Sequence, residues 1–319
     1  MPRQLITVLG ASCLLGTAIA AELAGRPVGL RLVARRRTPP PEGRADVDVR
    51  TADLADDHAV AEAVDGADVV ICLVAPTVRD NWRGAAHDTS AERITVGLVR
   101  RIVEAARGRA RPPVVLFAGS MSEVGRSARA GLDGTEIDEP LTVYDRHKLE
   151  AERALEAAHA EGLVRGCTLR LPALYGLPPG HGLVAAMVGR ALAGEPLPMW
   201  HDGTVLRDFL WAGDAARAFT AALDGIDVVG GGHWLVGSGQ ATSIGELFET
   251  IAKVVAAHTG RPAVPVRREE PAQPLLPTDL VDLVVNPAAF QAATGWAPRV
   301  PLVQGLERMV AGYHEAKAV

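Results

Sequence analysis

The sequence has little cysteine, few aromatic residues and almost no lysine. Its three cysteines, Cys13, Cys72 and Cys167, are far apart and odd in number. They offer neither a disulfide framework nor a zinc spacing, and a reducing cytoplasm suits them. The nine histidines contain no HExxH or similar pattern, so no metal is expected. An excess of positive charge is also missing. The 33 basic and 38 acidic residues leave a formal charge of −5, which excludes a nucleic-acid binder driven by bulk electrostatics. No run is long and apolar enough to span a bilayer. The uncharged stretch from Leu5 to Ala21 can be read as a secretory leader, but glycines and hydroxyl residues interrupt its apolar core.

What is present is ordinary for a globular protein: 319 residues, 48% hydrophobic and 22% charged, enough to bury a large core in one or two domains. The first half alternates two patterns. Short apolar runs (Leu5–Leu9, Val28–Val33, Val47–Arg50, Asp68–Val74, Val114–Ala118, Cys167–Leu171) predict strands. The stretches Leu14–Ala24, Asp56–Val64, Ala91–Arg107 and Thr142–Ala160 predict helices between them. Continuous apolar strands separated by helices imply an α/β fold, a doubly wound parallel sheet covered on both faces. After Pro172 short helices, Gly/Pro turns and polar loops dominate. The expected division is a dinucleotide-binding domain over 1–175, with 210–235 returning to it, and a small mixed substrate-binding lobe over 176–319.

Five places carry chemistry. Gly10-Ala11-Ser12-Cys13-Leu14-Leu15-Gly16 lies between the first strand and first helix. It resembles the GxxGxxG dinucleotide loop, in which glycine lets the backbone approach a pyrophosphate on the helix N-terminus. Cys13 stands where the middle glycine is usual, which puts cofactor affinity in doubt. Arg35 and Arg36 end the second strand with no acid in the turn, which favours the 2′-phosphate of NADP over the ribose hydroxyls of NAD. Asp53-Leu54 follows the third strand, where such folds contact adenine, although Asp53 equally suits a helix cap. Tyr144 and Lys148 form a YxxxK pair on a predicted helix. Only three tyrosines and three lysines occur in 319 residues, so a chance pair at this spacing arises roughly three times in a hundred. Both side chains share a helix face. An ammonium beside a phenol favours phenolate and so lowers its pKa, and the phenol can then act as general acid to a carbonyl that receives hydride. Ser120, at the end of the fifth strand, is placed to bond the same oxygen, with Ser122 as the alternative.

These residues, together with Arg170-Leu171-Pro172-Ala173-Leu174-Tyr175-Gly176 and Arg207-Asp208-Phe209, occur in the order of the extended short-chain dehydrogenases, the sugar-nucleotide epimerases, dehydratases and reductases. The resemblance spans essentially the whole chain. Met199-Trp200-His201-Asp202-Gly203-Thr204-Val205 and Thr294-Gly295-Trp296 look most like the dTDP-4-keto-6-deoxyhexose 4-ketoreductases of actinomycete deoxysugar and antibiotic pathways. That resemblance implies a Rossmann-type cytoplasmic enzyme that reduces a dTDP-linked ketosugar with NADPH. It adds Leu73, Val74, Ala75, Leu171 and Lys148 to the cofactor site. Trp82, Ser122, Ala173 and Arg207 join the substrate site, with Arg207 on the diphosphate. Dimerisation through a helix pair that includes the Tyr144 helix is common in the family. Two departures favour a simple reductase. The Asp-Glu pair of 4,6-dehydratases is replaced by Met121 and Ser122, unless a gap lets Glu123 serve. The asparagine that epimerases use on the diphosphate is Ala173 here. A nucleotide-sugar 4-epimerase with tightly bound NAD, and a catalytically silent dinucleotide-binding protein, are the alternatives.

Overall fold

The computed structural model describes residues 3–76, 90–127, 131–177, 182–271 and 274–318. Its first half runs β1 (Leu5–Leu9), α1 (Leu14–Ala24), β2 (Gly29–Ala34), β3 (Asp46–Thr51), α2 (Asp57–Val64), β4 (Val69–Cys72), α3 (Ser90–Ala106), β5 (Val114–Ser120), α4 (Val143–Ala160) and β6 (Arg165–Leu171). The second half adds β7 (Ala173–Tyr175), α5 (Leu183–Ala193), β8 (Leu197–Met199), β9 (Leu206–Arg207), β10 (Phe209–Trp211), α6 (Ala212–Asp224), α7 (Ile226–Val229), β11 (His233–Leu235), β12 (Thr242–Ser243), α8 (Ile244–Thr259), β13 (Val266–Arg268), α9 (Ala288–Thr294) and α10 (Leu302–Ala318).

Seven strands form one sheet in the order β3-β2-β1-β4-β5-β6-β11, with every neighbouring pair parallel. Parallel strands need helical crossovers, and these cover both faces. Ile6, Val8, Leu30, Ile71 and Leu116 point to the face covered by α1 and α6, through Ile19, Leu23 and Phe219. Val70, Cys72, Val115 and Phe117 point to the opposite face, against Val99 and Ile102 of α3 and Leu155 of α4. The strand order turns between β1 and β4, so β1 and its neighbours diverge at their carboxyl ends. Such a switch point is where open α/β sheets bind ligands. The Leu5–Ala21 stretch supplies β1 and most of α1.

The second core is built mainly from α5, α8 and α10. Val188, Leu247, Phe248, Ile251, Leu306 and Met309 are buried there beside Tyr175. Three two-stranded pieces, β10-β7, β12-β9 and β13-β8, edge this core. No helix among the described residues is long and apolar enough to cross a membrane.

Candidate active site

The loop after β1 is built for close approach. Gly10 takes φ +91°, and a Cβ there would lie 3.3 Å from the Leu73 carbonyl carbon. Gly16 is tighter, since its Cβ would lie 2.5 Å from the Gly10 carbonyl oxygen. Cys13 is the N-cap of α1 and its Sγ accepts from the Gly16 amide at 3.2 Å. The residue therefore does the work of a capping serine. The residue is exposed, yet the protein packed around the thiol pushes its pKa up. Ser12 is exposed and Leu14 half-buried on either side, while Leu15 is buried. This cradle of small residues, with a helix N-terminus behind it, fits a dinucleotide pyrophosphate.

Across the sheet, β5 and α4 bring the catalytic candidates together. Ser120 closes β5 at its carboxyl end, and the Ser120 amide donates to Glu123 Oε1 at 2.5 Å. Ser120 Oγ and Ser122 Oγ are 2.7 Å apart. Ser122 Oγ in turn donates to Asp145 Oδ1 at 2.5 Å, which ties the turn after β5 to the residue beside Tyr144. Thr142 caps α4 and forms a capping box with Asp145.

Lys148 is buried, and its ammonium donates to the Ala118 carbonyl at 2.7 Å. That nitrogen lies 4.6 Å from the Phe117 ring centre and 5.9 Å from that of Tyr144. Burial pushes the lysine pKa down. The Tyr144 phenol is pushed up, by burial first and then by the charges of Asp145 and Glu123. This differs from the expectation that Lys148 lowers it. The ammonium is anchored on a backbone carbonyl, while two carboxyl groups lie within electrostatic reach of the phenol. Tyr144 therefore stands as a neutral acid across the whole neutral range.

Behind the pair lies a buried ion network. Arg170, 1% exposed, meets Asp138 at 2.7 and 2.8 Å and Glu152 at 2.6 and 3.0 Å. Glu123 lies 3.4 Å from its Nε. Glu123 is wholly buried, and burial followed by the nearby Glu152 raises its pKa well above the ordinary value. It is a packed neighbour of Arg170 rather than an acid open to a ligand. Met121, at the other dehydratase-like position, is buried as well.

The remaining expected residues divide. Arg35 and Arg36 are exposed at the end of β2 and make no ion pair or hydrogen bond among the described residues. Leu73, Val74 and Ala75 follow β4 beside Gly10, and Leu171 ends β6, all at the carboxyl edge of the sheet. Leu54 is buried. Asp53 does not cap α2: it accepts from the Ala55 amide at 3.0 Å, and Asp56 is the cap. Ala173 is paired with Phe209 in the β7-β10 ladder. Arg207 differs most from expectation. Its guanidinium donates to the carbonyls of Leu206, Val281 and Thr278, which occupies three of its five donors. A short strand crossing the 278–281 segment puts those carbonyls within reach. Trp82 lies outside the described residues. Sequence reasoning missed Asp145 and the Arg170 network. Thr142-x-x-Asp145 is a capping-box pattern and was the available signal.

The sequence profile of the NAD dependent epimerase/dehydratase family matches residues 6–237. The chain belongs to that family. Among curated members it is 31% identical over 178 residues to a dTDP-L-rhamnose 4-epimerase from Burkholderia thailandensis, covering 52% of this chain and 45% of that one. It is 25% identical over 201 residues to a putative UDP-glucose 4-epimerase from Methanocaldococcus jannaschii, 61% of each. The matched stretch thus spans about half the length of these relatives. Solved structures superpose over nearly the full chain. A UDP-glucose 4-epimerase from Thermotoga maritima gives a TM-score of 0.84 at 20% identity, covering 98% of this chain and all of that one. MoeE5, in complex with UDP-glucuronic acid and NAD, gives 0.81 at 25% identity, covering 98% and 99%. These likenesses carry the Rossmann-type fold of this family member.

Proposed function

We propose that this family member reduces the C-4 ketone of a dTDP-4-keto-6-deoxyhexose to the alcohol, with NADPH, as a step of deoxysugar biosynthesis. The observation that carries the reading is the pairing of Ser120, Tyr144 and Lys148 with a wholly buried Glu123 and Met121. The residues for carbonyl chemistry are present; of the acid and base that a dehydratase needs for water elimination, Met121 stands in one place and Glu123 is not open to a ligand. The Gly10–Gly16 loop would hold the pyrophosphate. Arg35 and Arg36, both unpaired among the described residues, would hold the 2′-phosphate. When bound, NADPH supplies a hydride to the ketone carbon. Tyr144 gives its phenolic proton to the ketone oxygen, and Lys148, anchored on the Ala118 carbonyl, would hold the nicotinamide ribose hydroxyls. Arg207 keeps two donors for a diphosphate once its three carbonyls are served. A cytoplasmic homodimer remains part of the reading.

The names of the relatives favour a second reading, a nucleotide-sugar 4-epimerase. Such an enzyme keeps its NAD and needs no external reductant. The experiment follows NADPH oxidation, with NADH in parallel, on an enzymatically prepared dTDP-4-keto-6-deoxyhexose. Turnover with NADPH that falls by about 10²–10⁴ in Tyr144→Phe is the expected result. Purified protein that carries NAD and interconverts C-4 epimers without added cofactor would establish the epimerase instead. Folded protein that binds cofactor without turning over any ketosugar would point to the silent alternative.

A further inference from the structure

Ser120, Ser122, Asp145 and Thr142 form one hydrogen-bond chain, and its direction can be counted. Thr142 Oγ1 accepts from the Asp145 amide at 3.2 Å, so its own proton goes to Asp145 Oδ2, 2.6 Å away. The Thr142 amide donates to the same oxygen at 3.2 Å. The other carboxylate oxygen, Oδ1, lies 2.5 Å from Ser122 Oγ. A carboxylate only accepts, so the single Ser122 proton is directed to Oδ1. Ser122 Oγ must then accept from Ser120, 2.7 Å away. Ser120 Oγ also accepts from the Ser122 amide at 3.3 Å. Its one proton is directed inward, and only a lone pair remains for a ligand.

We propose that Asp145, acting through Ser122, makes Ser120 a hydrogen-bond acceptor toward the substrate oxygen. This rests on the carbonyl–alcohol reading above and holds equally for a reductase or an epimerase. A ketone oxygen is itself an acceptor, so Tyr144 is then the donor to it. The alcohol formed carries a proton that Ser120 accepts. Asp145 is thus a positioning residue that biases the site toward the alcohol. Its charge is set by groups on both sides. Its pKa is raised, because burial outweighs the hydrogen bonds from Ser122 and Thr142 and the charge of Arg146. Tyr144 is the other titratable group in electrostatic contact with it.

Asp145→Asn tests this because the cap fixes how the new amide sits. Thr142 presents two donors to one side, so the amide oxygen must face Thr142 and the amide nitrogen must face Ser122. The Ser122 and Ser120 hydroxyls then turn round, and Ser120 donates outward. The 4-keto sugar nucleotide and its C-4 alcohol are titrated by calorimetry, without turnover. In Asp145→Asn the ketone is expected to bind about tenfold tighter and the alcohol about tenfold weaker than in wild type. Ser122→Ala, which frees Ser120 from the chain, shifts both in the same directions. A residue serving only as a helix cap would change thermal stability without splitting the two ligands. Unchanged affinities, or parallel shifts, overturn the proposal. The infrared difference spectrum of wild type minus Asp145→Asn, at neutral pH, is expected to show carboxylate bands. A protonated-carboxyl band overturns it. If wild type binds neither sugar, the substrate reading fails and the infrared arm alone decides the polarity.

Discussion

Gly16 shows how little room the nucleotide loop leaves at single positions. A methyl group there would press on the Gly10 carbonyl at 2.5 Å, and that oxygen is backbone. Gly16→Ala is expected to cost about 1–3 kcal/mol of overpacking. Part of that strain moves the loop itself. Urea unfolding should show the loss, and NADPH titration should show weakened binding. Normal binding by a fully stable variant would remove the claim that this loop is closely packed. Cys13 is the opposite case. It departs from the family pattern, yet its sulfur caps the helix as a serine oxygen would. The departure was visible in the sequence, but its consequence depended on where Sγ points.

At the scale of elements, α4 joins the candidate site to stability. One turn carries Tyr144 and Lys148. Two turns on, Glu152 meets Arg170 of β6 and His233 of β11. Burial opposes charge on His233, but Glu152 and Glu156 outweigh it and push its pKa up to about 10 from an ordinary 6.5. A histidine whose folded pKa lies above its unfolded one stabilises the fold fully below the unfolded value. That contribution declines as pH rises toward the folded value. His233→Asn is therefore expected to lose about 1–3 kcal/mol at pH 6, with the difference from wild type shrinking toward zero above about pH 10. Urea midpoints across that range measure it. A pH-independent difference would mean that the imidazole packs without carrying charge. The same ladder places the sheet edge, because β11 is only three residues long and its charged contacts to α4 hold it in register.

For the whole molecule, the parallel sheet brings loops from distant parts of the chain to one edge. Arg35 and Arg36 after β2, the Gly10–Gly16 loop after β1 and Lys148 of α4 would, in the proposed reading, serve one elongated ligand. Such binding stabilises the native state, by about 2.7 kcal/mol at a hundred times Kd. NADPH is expected to raise the melting temperature more than NADH at equal concentration. Arg35→Ser combined with Arg36→Ser should abolish that difference while leaving the NADH shift intact. Equal shifts in wild type would remove the preference for NADP.

Much of this was legible from the chain. Leu5–Leu9 and Leu14–Ala24 are strand and helix as their patterns predict, because period and turn residues are local properties. Tyr144 and Lys148 could be paired because i and i+4 share a face on any helix. What lies beyond that depends on contacts between residues far apart in sequence. Arg207 reads as a free cation but is held by carbonyls more than seventy residues away. The Tyr144 phenol reads as lowered by lysine but is raised by burial and by carboxyl groups. Sequence alone determined the family, the sheet and the choice of candidate groups, since these follow from residue type and spacing. Tertiary structure decided their charge states and the direction of each hydrogen bond, because desolvation and electrostatics depend on three-dimensional neighbours.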